Sequence, residues 1–291
     1  MVGEGELSLD EARKLRDELH RLEASVEEHA ALGVAQQMEE LGRAMQWYLG
    51  NAADCLRTID ALSQDALGTR LLMEGEVPYG DGIHRDYVTE LGRTWHNFVA
   101  AAKTFADHMR RQFDNQPEDL QAEYEQRKRE LLDANGVVAF VSRSRNVLLH
   151  GGVFQTGVTW RFTQTSESFE ADCRTDILLN RYDSWWNAGA RRYLDSRAPR
   201  LNLRSTIGEH KDAVNPLYTW YQKRVYEYHH SKFADLEKTA ARIREVSERL
   251  DPGSMPVVDQ LTHFPDPSEP CPVRPPVKPK PKTQRGRKKK R

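Results

Sequence analysis

The chain has 291 residues, 38% of them hydrophobic and 30% charged, enough to bury a sizeable core in one large domain or two small ones. No apolar run approaches the roughly 20 residues that a membrane span needs, and the acidic start MVGEGELSLDEA lacks the basic-then-apolar build of a signal peptide, so the expectation is a cytoplasmic protein away from membranes. The net charge of -1 conceals an asymmetry: residues 271–291 hold ten basic side chains and no acid, and removing those ten from 43 leaves 33 basic against 44 acidic residues, a body of -11 beside a tail of +10.

Ser8 with Glu11 three residues on forms a capping box, after which Ala12, Leu15, Leu19, Leu22 and Val26 recur at spacings of 3 and 4 and predict an amphipathic helix. Beyond Gly33 the pattern resumes from Val34 to Leu62, so two helices in a hairpin are expected. A loop containing EVPYGDG leads to a third helix over Arg85–Phe113. Pro117 opens a charged helix that stops at Asn135-Gly136, and a helix over 137–150 follows. The period then changes to that of strands: VTWRFTQT and ADCRTDILL, separated by polar SESFE, predict a β-hairpin at about 158–179. Asn215-Pro216 supplies a cap and a first helical residue for a final helix that runs to Leu250, closed by Asp251-Pro252-Gly253. The fold class predicted is an all-α helical bundle with a small antiparallel β-hairpin insertion, spanning residues 8–250. Ten of the 14 prolines fall after Asp251, a density with lysine that cannot build a core, so 251–291 reads as a disordered basic C-terminal tail. In it Arg285, Arg287, Lys288, Lys289, Lys290 and Arg291 form a polyanion-binding segment, and in a eukaryotic host RGRKKKR would also serve as a nuclear signal.

Cys55, Cys173 and Cys271 are odd in number and far apart, which removes a disulfide framework and a CxxC metal site. Neither a P-loop nor GxGxxG, HExxH or GxSxG is present. His229-His230 does not chelate from one helix face, since neighbours diverge by about 100°.

The stretch SRSRNVLLHGG, Ser142–Gly152, is different. On an ideal helix Val138, Val141, Leu148 and Leu149 fall within about 60° of Arg145, which puts the arginine in the middle of an apolar stripe, with His150 about 140° round. A charge so placed calls for a buried carboxylate or a cleft open to a ligand. RNVLLH resembles the R-x(4 to 6)-H signature of the HEPN superfamily, the higher eukaryote and prokaryote nucleotide-binding helical domains, many of which are ribonucleases. The bare spacing also occurs at Arg13/His20, Arg204/His210 and Arg224/His229. The Arg-Asn start, the apolar interior and the Gly-Gly stop set Arg145/His150 apart. The resemblance implies a metal-independent RNA endonuclease that needs no cofactor and works as a homodimer, in defence or as a toxin with an antitoxin partner. Its catalytic residues would be Arg145, Asn146 and His150, with Asn146 orienting the phosphate. The residue types suit that chemistry: histidine exchanges protons near neutrality and arginine holds two phosphate oxygens without giving up its own proton. Arg143 and Arg161 are candidates to line the phosphate path, Trp185 and Trp186 candidates to stack on bases or be buried against the hairpin. The alternatives left by the residues are a salt-bridged arginine with a histidine at a helix C-terminus, and a non-catalytic helical interaction protein whose basic tail binds nucleic acid.

Overall fold

The computed structural model describes residues 8–64, 83–152, 154–162 and 167–252. Among them are nine α-helices and a three-stranded antiparallel sheet, an all-α bundle with a small β insertion. The loop EVPYGDG and the basic tail from residue 253 onward lie outside the described residues.

The first helix, α1 (Leu9–Glu27), starts at the capping box: Ser8 Oγ accepts from the Glu11 amide at 3.3 Å while Glu11 Oε2 accepts from the Ser8 amide at 3.1 Å. Each bond satisfies an amide that the helix start leaves orphaned. Leu15 and Val26 are its buried residues. The next two helices, α2 (Ala30–Gln64) and α3 (Ile83–Asp114), pack side by side along much of their length. Tyr48 of α2 lies between Phe98 and Phe105 of α3, at ring centroid distances of 5.8 and 5.7 Å, and Trp95 is fully buried beside them. Burying an aromatic or large aliphatic side chain is worth about 1.5 to 3 kcal/mol, so these aromatic residues make the α2–α3 seam a substantial contributor to the bundle's stability.

Helix α4 (Glu118–Lys128) ends in a π-helical turn, Arg129–Asp133, and Asn135 then caps α5 (Gly136–Asn146) by accepting from the Val137 amide. The boundary at Asn135-Gly136 is where the sequence places it. Strands β1 (Thr156–Phe162) and β2 (Glu167–Arg174) pair antiparallel with Thr156 opposite Cys173, and β3 (Arg200–Asn202) adds to β2 with Cys173 opposite Leu201. The expected hairpin over 158–179 is thus corrected at its C-terminal end. Thr175–Arg181, including the apolar run Ile177-Leu178-Leu179, is helix α6. A short apolar run satisfies either period, and here the Thr175 amide is claimed by the Pro199 carbonyl while Leu178 turns into the core. A single 3-10 turn, Asp183–Trp185, and helix α7 (Ala188–Ser196) connect to β3.

The predicted final helix from Asn215 is also corrected. It is two helices, α8 (Leu203–Tyr228) and α9 (His230–Leu250). The real start of α8 is Asn202, whose Oδ1 accepts from the Ser205 amide, and Asn215-Pro216 lies inside the helix. Pro216 removes one helical N–H but is exposed, as is Asp212, so water can take the carbonyl left without its donor. The break comes instead at His229, buried with Nε2 3.1 Å from Gln116 Oε1. Packing of α9 on α1 is tied by Arg242, which donates to Glu18 at 2.8 Å. No described helix is long and apolar enough to cross a membrane.

Candidate functional site

Helix α5 owes its orientation to Val137, Phe140, Val141, Ser144 and Val147, the residues it buries. Ser144 is the centre of that stripe, fully buried, with its hydroxyl donating to the Phe140 carbonyl at 2.8 Å. The expectation that Arg145 sits mid-stripe is therefore corrected by one residue, or about 100° of helix. Arg145 is half-buried about 100° from Ser144, at the margin of the apolar face, Asn146 is half-buried about 200° round, on the far side, and Leu149 is 50% exposed. Two glycines let α5 lie close to α7. A Cβ on Gly136 would come within 3.0 Å of the Tyr193 Cβ, and one on Gly189 within 3.1 Å of the Ala139 Cβ. Trp186 is buried below, stacked on Phe140 and donating from Nε1 to the Leu178 carbonyl at 2.8 Å.

The end of α5 widens into a π-helical turn, Val147–Gly151. Such turns close i→i+5 bonds and occur often at functional sites. Because the ring is wider, residue i+5 returns toward the side of residue i, so the 140° offset of an ideal helix between Arg145 and His150 is reduced. Gly152 then ends the helix at φ 109°, a conformation that side chains disfavour. Gly151 is needed for a different reason: a Cβ there would lie 3.0 Å from the ring of Tyr182. The Tyr182 hydroxyl is buried without a hydrogen-bond partner among the described residues, close to Gly152.

His150 is exposed, and its ring lies on the indole of Trp185, with centroids 5.8 Å apart and planes 14° from parallel. Trp185 is half-buried at the end of the 3-10 turn, and that turn is braced by Arg191, which donates to the Asp183 carbonyl at 2.6 Å and pairs with its carboxylate. Sequence reasoning did not find this contact. The rings are 35 residues apart in the chain, and no local pattern joins them.

The four Arg/His pairs named above separate once partners are known. Arg204 pairs with Asp60 and His210 is buried against Tyr48; Arg224 holds Glu123 through two bonds of 2.7 Å and His229 is buried; His20 faces Glu23 at 3.6 Å on an exposed surface. Four described arginines are half-buried: Arg145, Arg191, Arg224 and Arg242. The last three each pair with a carboxylate, whereas Arg145 makes no ion pair or hydrogen bond among the described residues. A half-desolvated cation without a partner is costly, and that cost is offset when an anion binds beside it. Arg143 is exposed and, two positions away, lies about 200° round the helix from Arg145. Arg161 pairs through its backbone with Ser168 in the hairpin, and its side chain lies outside the described residues. The tail residues Arg285, Arg287, Lys288, Lys289, Lys290 and Arg291 do so too.

Charge along the chain sharpens the contrast. From Ala134 to Ser166, a stretch covering α5, its π turn and β1, there is no Asp or Glu, although the chain has 44. An acidic body therefore withholds its acids from the segment that carries Arg143, Arg145, His150 and Arg161. A cleft of about 470 Å³ between α2 and α3 has the opposite character: its Arg57 and Arg93 are already paired with Asp54 and Glu90, and no lining residue comes from α5. Among the described residues no group of three His, Cys, Asp or Glu side chains converges to hold a metal ion. No protein-family model, curated protein or solved structure matches the chain.

Proposed function

We propose that the chain is a metal-independent endoribonuclease of the HEPN type that works as a dimer, with Arg145, Asn146 and His150 as its working residues. The observation that carries this reading is Arg145, half-buried and without a counter-ion among the described residues in a segment free of acids, one widened turn before an exposed histidine. Imidazole takes the proton of a ribose 2′-hydroxyl, and the freed oxygen attacks the adjacent phosphorus. The 5′-oxygen leaves with a proton supplied by the second histidine of a symmetric pair, giving a 2′,3′-cyclic phosphate and a 5′-hydroxyl. Arg145 meets the extra negative charge of the phosphorane, and Asn146 orients a phosphate oxygen. One histidine does not serve as base and acid in one concerted step, which is why the reading requires two copies related by a two-fold axis.

The test is RNA cleavage in EDTA, measured together with urea unfolding for wild type, Arg145→Ala and His150→Ala. General acid-base catalysis is worth about 10²- to 10⁴-fold, so His150→Ala is expected to lose that much activity, and Arg145→Ala to lose activity while remaining folded. Cleavage that survives both substitutions, or a wild type inert on every RNA offered, removes the assignment. A monomer in sedimentation that still cleaves removes the shared-histidine mechanism.

A further inference from the structure

The contact between His150 and Trp185 is not required by the proton-transfer chemistry above, yet both side chains are held for it. A Gly-Gly exit places the imidazole: Gly151 admits the Tyr182 ring and Gly152 takes φ 109°. The indole is placed by a turn that Arg191 clamps through Asp183. At 5.8 Å and 14° the rings are parallel and slid past one another, the offset arrangement that aromatic pairs favour. His150 is exposed, which leaves the imidazole within reach of a ligand.

We propose that Trp185 and His150 form a nucleobase platform, and that the substrate of this site is a single-stranded RNA whose unpaired base extends the stack beside the scissile phosphate. This rests on the ribonuclease reading for the cleavage but not for the binding. Stacking uses the ring faces, whereas proton transfer uses the nitrogens at the ring edge, so one imidazole does both without competition. Arg145, on the same acid-free helix one turn earlier, meets the phosphate of the stacked nucleotide. A base inside a duplex has both faces covered by its neighbours, and a platform of this kind does not reach it. Each base stacked on an aromatic side chain contributes enough that its loss weakens binding about 5- to 100-fold.

The experiment compares an unstructured RNA oligonucleotide, the same sequence in a duplex, and a 2′-O-methyl version of the single strand that cannot be cleaved. Binding is measured on the full chain at salt high enough to suppress the counterion-driven contribution of the basic tail. Trp185→Leu keeps apolar bulk without a π face, and Trp185→Phe keeps a face; thermal melts establish that both are folded. His150→Phe keeps a ring without a proton to exchange, and His150→Ala keeps neither. The expected result is that Trp185→Leu and His150→Ala weaken binding of the 2′-O-methyl strand by about 5- to 100-fold, while both phenylalanine variants bind it near the wild-type level. His150→Phe then binds without cleaving. Wild-type affinity in Trp185→Leu, equal binding of single strand and duplex, or no binding of either overturns the platform; cleavage retained by the wild type in those cases leaves the ribonuclease reading standing. Trp185-dependent binding by a wild type that cleaves nothing supports the platform and removes the ribonuclease.

Discussion

The Tyr48 hydroxyl lies 2.8 Å from Nδ1 of His210 at the centre of the bundle, with the Phe98 ring edge-on to the imidazole at 5.8 Å. Burial alone holds this histidine down at about 4, well below the usual imidazole value. Neutral His210 is therefore part of the packed core, and protonating it means charging a group that has lost its water.

The first prediction follows from that shift. The unfolded chain binds a proton at His210 below about pH 6.5 and the folded one only near 4, so stability falls as pH drops through this window and is fully present above it. One histidine contributes a slope of at most about 1.4 kcal/mol per pH unit, or about 3 kcal/mol across the window. Buried His229, also shifted downward by desolvation, acts in the same direction. Urea midpoints at pH 7.5, 5.5 and 4.5 should decline for wild type and decline less steeply for His210→Gln, which retains an acceptor for Tyr48. Parallel declines in the two proteins would assign the acid sensitivity elsewhere.

A second prediction concerns Asp172, which is buried in β2 and accepts from Thr159 and from Arg200 at 2.8 Å, whereas the Arg200 side chain is 39% exposed. The two halves of the pair are not equivalent. Arg200→Ala strands a buried carboxylate and should cost about 3 to 5 kcal/mol. Asp172→Ala leaves an arginine that water can reach, and should cost about 1 to 3 kcal/mol. Chemical denaturation of both variants checks the order; the reverse order would contradict the burial assigned to this pair.

The Gly-Gly exit gives a third. Gly151→Ala drives a methyl into the Tyr182 ring at 3.0 Å, and Gly152→Ala imposes a side chain on a backbone at φ 109° and ψ -175°, a region that is essentially glycine's own, at a cost of about 1 to 3 kcal/mol. Either change shifts the imidazole relative to Trp185. Both variants should keep the far-ultraviolet circular dichroism of the bundle and lose most RNA cleavage, with Gly151→Ala the more severe. Full activity in Gly151→Ala would show that the position of His150 is not critical.

The fourth prediction separates tail from body. Ten clustered charges bind polyanions by releasing counterions, so deleting 271–291 should weaken nucleic-acid binding at low salt and flatten its salt dependence. The melting temperature should stay nearly constant. A large thermal destabilisation would make the tail a part of the fold and move the domain boundary.

Arg224 provides the reference for a fifth. Its bidentate pair with Glu123 joins α8 to α4, so Arg224→Ala should cost about 1 kcal/mol. Arg145→Ala breaks no ion pair among the described residues and should be close to neutral in the same urea titration. A loss at Arg145 equal to that at Arg224 would mean that the charge is structural.

By itself the sequence determined the features that depend on neighbouring residues. Ser8 and Glu11 cap α1 as a pair three apart, Asn135 caps α5, and α2 and α3 carry a 3.6-residue period long enough to be read from the sequence. The helical class follows from these, and so does the place where α5 begins. Tertiary structure decided what rests on geometry between distant residues. Whether Ile177-Leu178-Leu179 was strand or helix depended on the Pro199 carbonyl, and the start of α8 on a cap at Asn202 that a proline 14 residues later obscures. At the candidate site the sequence named Arg145 and His150 but rotated them wrongly: buried Ser144 sets the face of α5 one residue before Arg145, the widened turn after Asn146 brings His150 round, and a period read from apolar residues alone registers neither. That Arg145 lacks a carboxylate among the described residues while Arg224 has one is a matter of which helices meet, and the placement of Trp185 against His150 is a contact across 35 residues that only the packed bundle brings about.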